Sequence, residues 1–232
     1  MRIATVYDNR TLDPTLASGW GFACVVDEGL LFDTGGDGRR LLFNMAAMGI
    51  DPAEIGTVVL SHAHGDHTGG LAGLLAAGVR PVVYVPRSFP RRLKAQVRSL
   101  TRLVEVGGPV EIQGGIYTTG EMGRGIVEQA LAVETEQGLV VVTGCAHPGV
   151  VEMVRRAKEI ISGQVALVIG GFHLGGVSRR RVERIINDFR DLGVRKVAPC
   201  HCTGDGAIRV FAEEYGGDFI KVGVGMILEI GP

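Results

Sequence analysis

The segment Ser61-His62-Ala63-His64-Gly65-Asp66-His67-Thr68-Gly69-Gly70 follows directly on the strand-like run Thr57-Val58-Val59-Leu60, and its donors are spaced H-x-H-x-D-H. In extended backbone, residues two apart face the same way, so His62 and His64 can offer two imidazole nitrogens to one ion. Asp66 and His67 fall where the chain turns into a helix-like stretch from Thr68 to Leu75, which aims them at a second, adjacent position. Four donors within this short segment suit one or two metal ions. The competing reading is a polar loop of surface histidines with Asp66 as a helix cap. Scattered histidines rarely take this spacing at the end of a buried strand.

The other three histidines are placed alike. The run Leu139-Val140-Val141-Val142-Thr143 delivers Gly144-Cys145-Ala146-His147 to a strand end, and Val165-Ala166-Leu167-Val168-Ile169 delivers Gly170-Gly171-Phe172-His173. Arg195-Lys196-Val197-Ala198-Pro199 delivers Cys200-His201-Cys202. These three edges are expected to converge on the first motif. Periodicity predicts strands near 2–7, 21–26, 29–33, 57–60 and 81–85, helices near 38–48 and 68–77, and strands of a second sheet at 130–134 and 139–143. From Val150 the pattern alternates: helices at 150–161, 178–191 and 205–214, strands at 165–169, 195–198 and 226–229. A strand-rich beginning followed by such alternation predicts a single α/β domain over residues 1–232, an αββα sandwich of two mixed β-sheets packed face to face with helices outside.

Composition narrows the function. With 46% hydrophobic and 21% charged residues the chain can bury a core and is not disordered. A formal net charge of −1 gives no general attraction to nucleic acid or to anionic membranes, so any anion is bound locally. The mean hydropathy of +0.24 is high, but glycines and charges interrupt each apolar run before a membrane-spanning length. No signal-peptide pattern opens the sequence, and a soluble cytoplasmic protein is expected. Cys24, Cys145, Cys200 and Cys202 lack paired C-x-x-C spacing, which speaks against a structural zinc module and for reduced thiols.

These residues carry a resemblance. The chain resembles the metallo-β-lactamase superfamily, and within it the dihydropteroate-synthase-like branch. The resemblance rests on the H-x-H-x-D-H segment with Tyr7-Asp8-Asn9, Trp20-Gly21-Phe22 and Leu31-Phe32-Asp33-Thr34-Gly35. It continues through Thr143-Gly144-Cys145-Ala146-His147-Pro148-Gly149, Gly170-Gly171-Phe172-His173-Leu174 and Pro199-Cys200-His201-Cys202-Thr203-Gly204. Many members place another ligand histidine after the first motif and end the following strand in an aspartate that bridges two metals. This chain has no histidine from residue 68 to 146. The resemblance therefore implies His62, His64 and His147 on one ion, and Asp66, His67 and His201 on a second. Cys145 stands where the bridging aspartate would fall, as a zinc-ligating thiolate or as a small core residue, the commoner place of a lone cysteine. Zinc is the expected divalent ion, with manganese or iron accepted by the same donors.

His173 is expected to touch substrate or move a proton, or else to be a satisfied structural histidine; flanking glycines let the backbone approach a ligand, and Ser178 can cap the next helix. Asp33 is expected to hydrogen-bond a ligand histidine, with Asp8 similarly placed. Arg87, Arg91, Arg92, Lys94, Arg98 and Arg102 offer phosphate-binding forks, but their helical spacing equally describes a solvated face, and that is the reading preferred here and for Arg179-Arg180-Arg181.

The function expected first is a metal-dependent hydrolase acting on an ester, lactone or phosphoester. An ion at His62, His64 and His147 lowers the pKa of water and polarises the bond attacked, and Asp66 orients that water. The branch implies an alternative, a transferase that condenses a dihydropterin methyl diphosphate with an aminobenzene ribofuranosyl phosphate in methanopterin-type biosynthesis. A metal-binding or ligand-sensing protein without turnover is the third reading. The partner in each case is a small molecule, phosphorylated in the transferase case; a homo-oligomer is compatible with the sequence.

Overall fold

Apolar runs become strands buried on both faces, as a sheet covered by helices requires. The computed structural model describes residues 1–27 and 29–231. These form two compact units, residues 1–107 with 222–231, and residues 108–221.

The first unit holds β1 (Arg2–Tyr7), β2 (Ala23–Val26), β3 (Leu30–Phe32), α1 (Gly38–Ala47), β4 (Thr57–Val59), α2 (Gly65–Thr68), α3 (Leu71–Ala76), β5 (Val82–Pro86), α4 (Arg91–Arg98) and β6 (Leu103–Val106). The second holds β7 (Val110–Gln113), β8 (Ile116–Thr118), β9 (Leu131–Thr135), β10 (Gly138–Thr143), α5 (Val150–Ile160), β11 (Val165–Gly171), α6 (Arg179–Asp191), β12 (Val194–Cys200) and α7 (Asp205–Tyr215). The last strand, β13 (Ile227–Glu229), returns to the first unit and pairs antiparallel with β1.

Both sheets are mixed. The first has seven strands in the order β13-β1-β2-β3-β4-β5-β6, antiparallel as far as β3 and parallel from β3 to β6. The second has six in the order β12-β11-β10-β9-β8-β7, antiparallel from β7 to β10 and parallel from β10 to β12. Parallel strands end at the same sheet edge, and loops at those ends are where open α/β sheets bind ligands. Asp33 and His62 follow β3 and β4; Cys145, His173 and His201 follow β10, β11 and β12. The α/β class and the mixed character of both sheets agree with the sequence.

Each unit has its own core. In the first, Leu41 and Met45 of α1 pack with Leu71, Leu74, Val58 and Val83. Asp37 caps α1 by accepting from the Arg40 amide, and Asn44 on the buried face donates to the carbonyls of Val6 and Ala17 while accepting from the Ala17 amide. In the second, Phe172 meets Phe189 and Phe211 edge to face, with ring centroids 5.9 and 5.5 Å apart, geometry that adds to burial worth about 1.5–3 kcal/mol per side chain.

Two expectations change. The helix expected at 68–77 divides into α2 and α3 around Gly69-Gly70, because the chain there passes so close to the β3 exit that a Cβ on Gly70 would stand 2.0 Å from the Thr34 carbonyl oxygen. The helical spacing of the cations from Arg91 to Arg98 is that of α4, whereas the strands β6, β7 and β8 fall in a stretch where the sequence predicts none. Those strands are three or four residues long, and β7 lacks a buried position, so they carry little periodic signal.

Candidate metal centre

In the first unit one carboxylate organises the histidine motif. Asp33 is fully buried at the end of β3; its Oδ1 accepts from the Ser61 amide at 2.7 Å, and its Oδ2 accepts from Ser61 Oγ at 2.7 Å. His67 Nδ1 lies 2.7 Å from the same Oδ2. Ser61 Oγ has one proton and gives it to the carboxylate, so its lone pair accepts from His62 Nδ1, 2.9 Å away. Asp33 thus fixes the tautomers of two imidazoles, one directly and one through a serine, and leaves the Nε2 lone pairs of both for an ion. Burial raises the Asp33 pKa, and the His67 and Ser61 contacts pull it down.

His64 precedes α2, and its carbonyl accepts from the His67 and Thr68 amides, so the turn sets both motif halves. His62 Nε2 and His64 Nδ1 are 3.0 Å apart, close to the separation of about 3.3 Å between nitrogens on one tetrahedral ion. The rings of His62 and His67 are 4.3 Å apart, and His67 Nε2 is 3.8 Å from Asp66 Oδ2. The structure therefore brings His62, His64, Asp66 and His67 together, and the donor set fits a divalent ion of zinc type.

In the second unit the organiser is Glu128, which the sequence did not single out. It is fully buried; Oε1 accepts from the Cys145 and Ala146 amides at 2.8 and 2.9 Å, and Oε2 from the His147 amide at 3.0 Å. His147 Nδ1 is 2.9 Å from Oε2, which again leaves Nε2 as the atom that could meet an ion. A carboxylate ahead of β9, in a stretch with no histidine, is the only signal the sequence offered.

Cys145 is 3% exposed and occupies the hub of this unit's donors. Its sulfur lies within 4.8 Å of ligand atoms on His147, on His201, and on the pair His173 and Cys202. That position suits a ligand, whereas the sequence left a core residue as the commoner reading. His173 stacks at 4.4 Å between ring centroids on His147, and its closeness to Cys202 was not foreseen. The Cys202 thiol is held down to about 7, first by its hydrogen bond with Cys145 and then by His173, against the opposing effect of burial. The run Cys200-His201-Cys202 was its sequence signal.

Backbone strain gathers at these strand ends. Among the described residues five other than glycine have left-handed φ, and four of them are Asp33 (56°), Ala146 (58°), His173 (52°) and His201 (48°). Each costs on the order of 1 kcal/mol, a strain that persists where surrounding contacts fix a functional geometry. Two of the α4 cations are held within the unit, since Lys94 and Arg98 both pair with Glu105, the first largely buried and the second exposed. Asp8 is buried and accepts from the Arg10 amide within its own turn.

Comparison with known proteins shows the family. The model of the metallo-beta-lactamase superfamily matches residues 22–159. The 7,8-dihydropterin-6-methyl-4-(beta-D-ribofuranosyl)-aminobenzene-5'-phosphate synthase of Methanocaldococcus jannaschii is 32% identical over 86% of this chain and 84% of its own. A crystal structure named as a metal-dependent hydrolase of the beta-lactamase superfamily has a TM-score of 0.86 at 29% identity, covering 100% of both chains. The human short-form tRNase Z shares the fold, with a TM-score of 0.66 at 13% identity over 100% of both chains. The chain belongs to the metallo-β-lactamase superfamily.

Proposed function

We propose that this metallo-β-lactamase superfamily member is a metal-dependent synthase that joins a dihydropterin methyl diphosphate to an aminobenzene ribofuranosyl phosphate. The observation that carries the metal dependence is the pair of buried carboxylate–histidine contacts, Asp33 with His67 at 2.7 Å and Glu128 with His147 at 2.9 Å, each presenting Nε2 outward. Identity of 32% to the Methanocaldococcus jannaschii synthase over most of both chains moves the transferase ahead of the hydrolase that the sequence put first. Residues 1–232 are read as one functional domain, supported by a solved relative that matches along its whole length.

In this reading His62, His64, Asp66 and His67 of the first unit and His147, His201 and Cys145 of the second are the residues that would hold one or two divalent ions. A bound divalent ion supplies Lewis acidity to the diphosphate oxygens. The chain's residues do the rest: Asp66 orients the group beside the ions, and His173 accepts the proton released when the arylamine nitrogen bonds the pterin methylene and diphosphate departs. The hydrolase remains the second reading, favoured by the metal-dependent hydrolase structure at 29% identity.

The test is to give the metal-loaded protein the dihydropterin methyl diphosphate with and without the aminobenzene ribofuranosyl phosphate. Formation of the joined product with one diphosphate released per product supports the synthase. Diphosphate release that ignores the arylamine, or turnover of a generic phosphodiester or lactone alone, supports the hydrolase.

A further inference from the structure

A cavity of about 510 Å³ opens in the second unit between α5 and α6, within the size range of small-molecule sites. His147 and His173 stand in its wall, so it adjoins the donors described above. Val150, Phe172, Val177 and Ile185 give it an apolar surface. Arg155, Arg181 and Arg184 supply the cations, and Glu152 and Asp188 the acids.

The cations differ in what balances them. Arg155 lies 3.6 Å from Glu152. Elsewhere on α6, Arg179 pairs with Glu183 and Glu213, and Arg190 with Glu214. Arg181 and Arg184, three residues apart on one helix face, make no ion pair among the described residues, yet both line the cavity. Arg181 also sits in the first turn of α6, near the positive end of its dipole. Two guanidinium forks over an apolar wall complement a ligand with a compact anion at one end and a ring or chain at the other.

We infer that this cavity is the substrate-anion subsite, in which Arg181 and Arg184 grip a terminal phosphate or carboxylate while the ligand's apolar body lies along Phe172 and Ile185 toward His147 and His173. The inference rests on the metal-enzyme reading for its orientation only; the arginines need no ion to hold an anion. It also departs from the solvated-face expectation for the Arg179–Arg181 run, since Arg181 faces a cavity.

The experiment is calorimetric titration of the full chain, metal-loaded and chelator-treated, with phenyl phosphate, phenylacetate and inorganic phosphate. The variants are Arg181→Ala, Arg184→Ala, the double substitution, and Arg195→Ala as an exposed control outside the cavity. The expected result is that phenyl phosphate or phenylacetate binding weakens about 10-fold with each cavity substitution and is unchanged in the control, with metal content constant. Preference for phenyl phosphate identifies a phosphate ester as the substrate anion, and preference for phenylacetate a carboxylate. Equal binding by native and doubly substituted protein, or no binding of either aromatic anion by the native chain, overturns the inference. If the chain retains no metal but arginine-dependent binding persists, the metal reading fails and this one stands; normal metal with arginine-independent binding does the reverse.

Discussion

Asp33 and Glu128 are acceptor-only groups placed where imidazole Nδ1 atoms need a partner, and they orient His67 and His147 directly and His62 through Ser61. Replacing Asp33 by Asn keeps the shape but offers an amide where His67 and Ser61 need an acceptor. Metal affinity is expected to fall about 10- to 100-fold in Asp33→Asn, measured by competition with a chromophoric chelator, with the fold retained by circular dichroism. Glu128→Ala strips the acceptor from three buried amides as well as from His147, and is expected to cost on the order of 3 kcal/mol in denaturant unfolding. Tyr215 acts in the opposite sense. Its hydroxyl is buried without a partner among the described residues, and burial pushes its pKa up to about 12. The protonated phenol is therefore favoured in the folded state, so the stability tied to it is present below pH 10 and is lost as pH rises toward 12. Tyr215→Phe should equal or exceed the native chain in stability at pH 7 and flatten the alkaline loss between pH 10 and 12. A less stable variant with the same alkaline slope would show that the hydroxyl is satisfied.

Among the elements, the parallel strands decide where chemistry collects, and the sequence showed them well because their apolar runs are long and end in glycine and histidine. Strands β10, β11 and β12, with Cys145, His173 and His201 after them, were legible for that reason, and so was the turn from β4 into the motif. The stretch from β6 to β8 was not, since strands of three or four residues, two of them at sheet edges, leave no long apolar run to find. Glu128 was missed for a different cause: a buried carboxylate is recognised only by the amides that surround it, and those come from a loop 17 to 19 residues away. Close helix packing was equally silent. Gly38 in α1 and Gly73 in α3 approach so nearly that a Cβ on Gly73 would stand 2.8 Å from the Gly38 Cα, whereas Gly65, at the start of α2, has nothing within 4 Å. Gly73→Val is expected to lose about 2–4 kcal/mol by forcing the helices apart, and Gly65→Ala to change stability by less than about 0.5 kcal/mol, both read from chemical denaturation. Equal effects at the two sites would contradict the packing described.

For the whole molecule, superfamily membership and the paired carboxylate–histidine contacts point to a protein completed by metal. Because an ion held by native ligands stabilises only the folded state, chelation should lower the melting temperature by roughly 5 °C or more, and zinc should restore it. No helix among the described residues is long and apolar enough to cross a membrane. The most direct test is elemental analysis of the chain purified without added metal or chelator, beside His62→Ala, His147→Ala and His201→Ala. The account predicts about two equivalents in the native chain, with loss in all three variants. Metal content unchanged by any of these substitutions, or a native chain that takes up no zinc, manganese or iron, would contradict it.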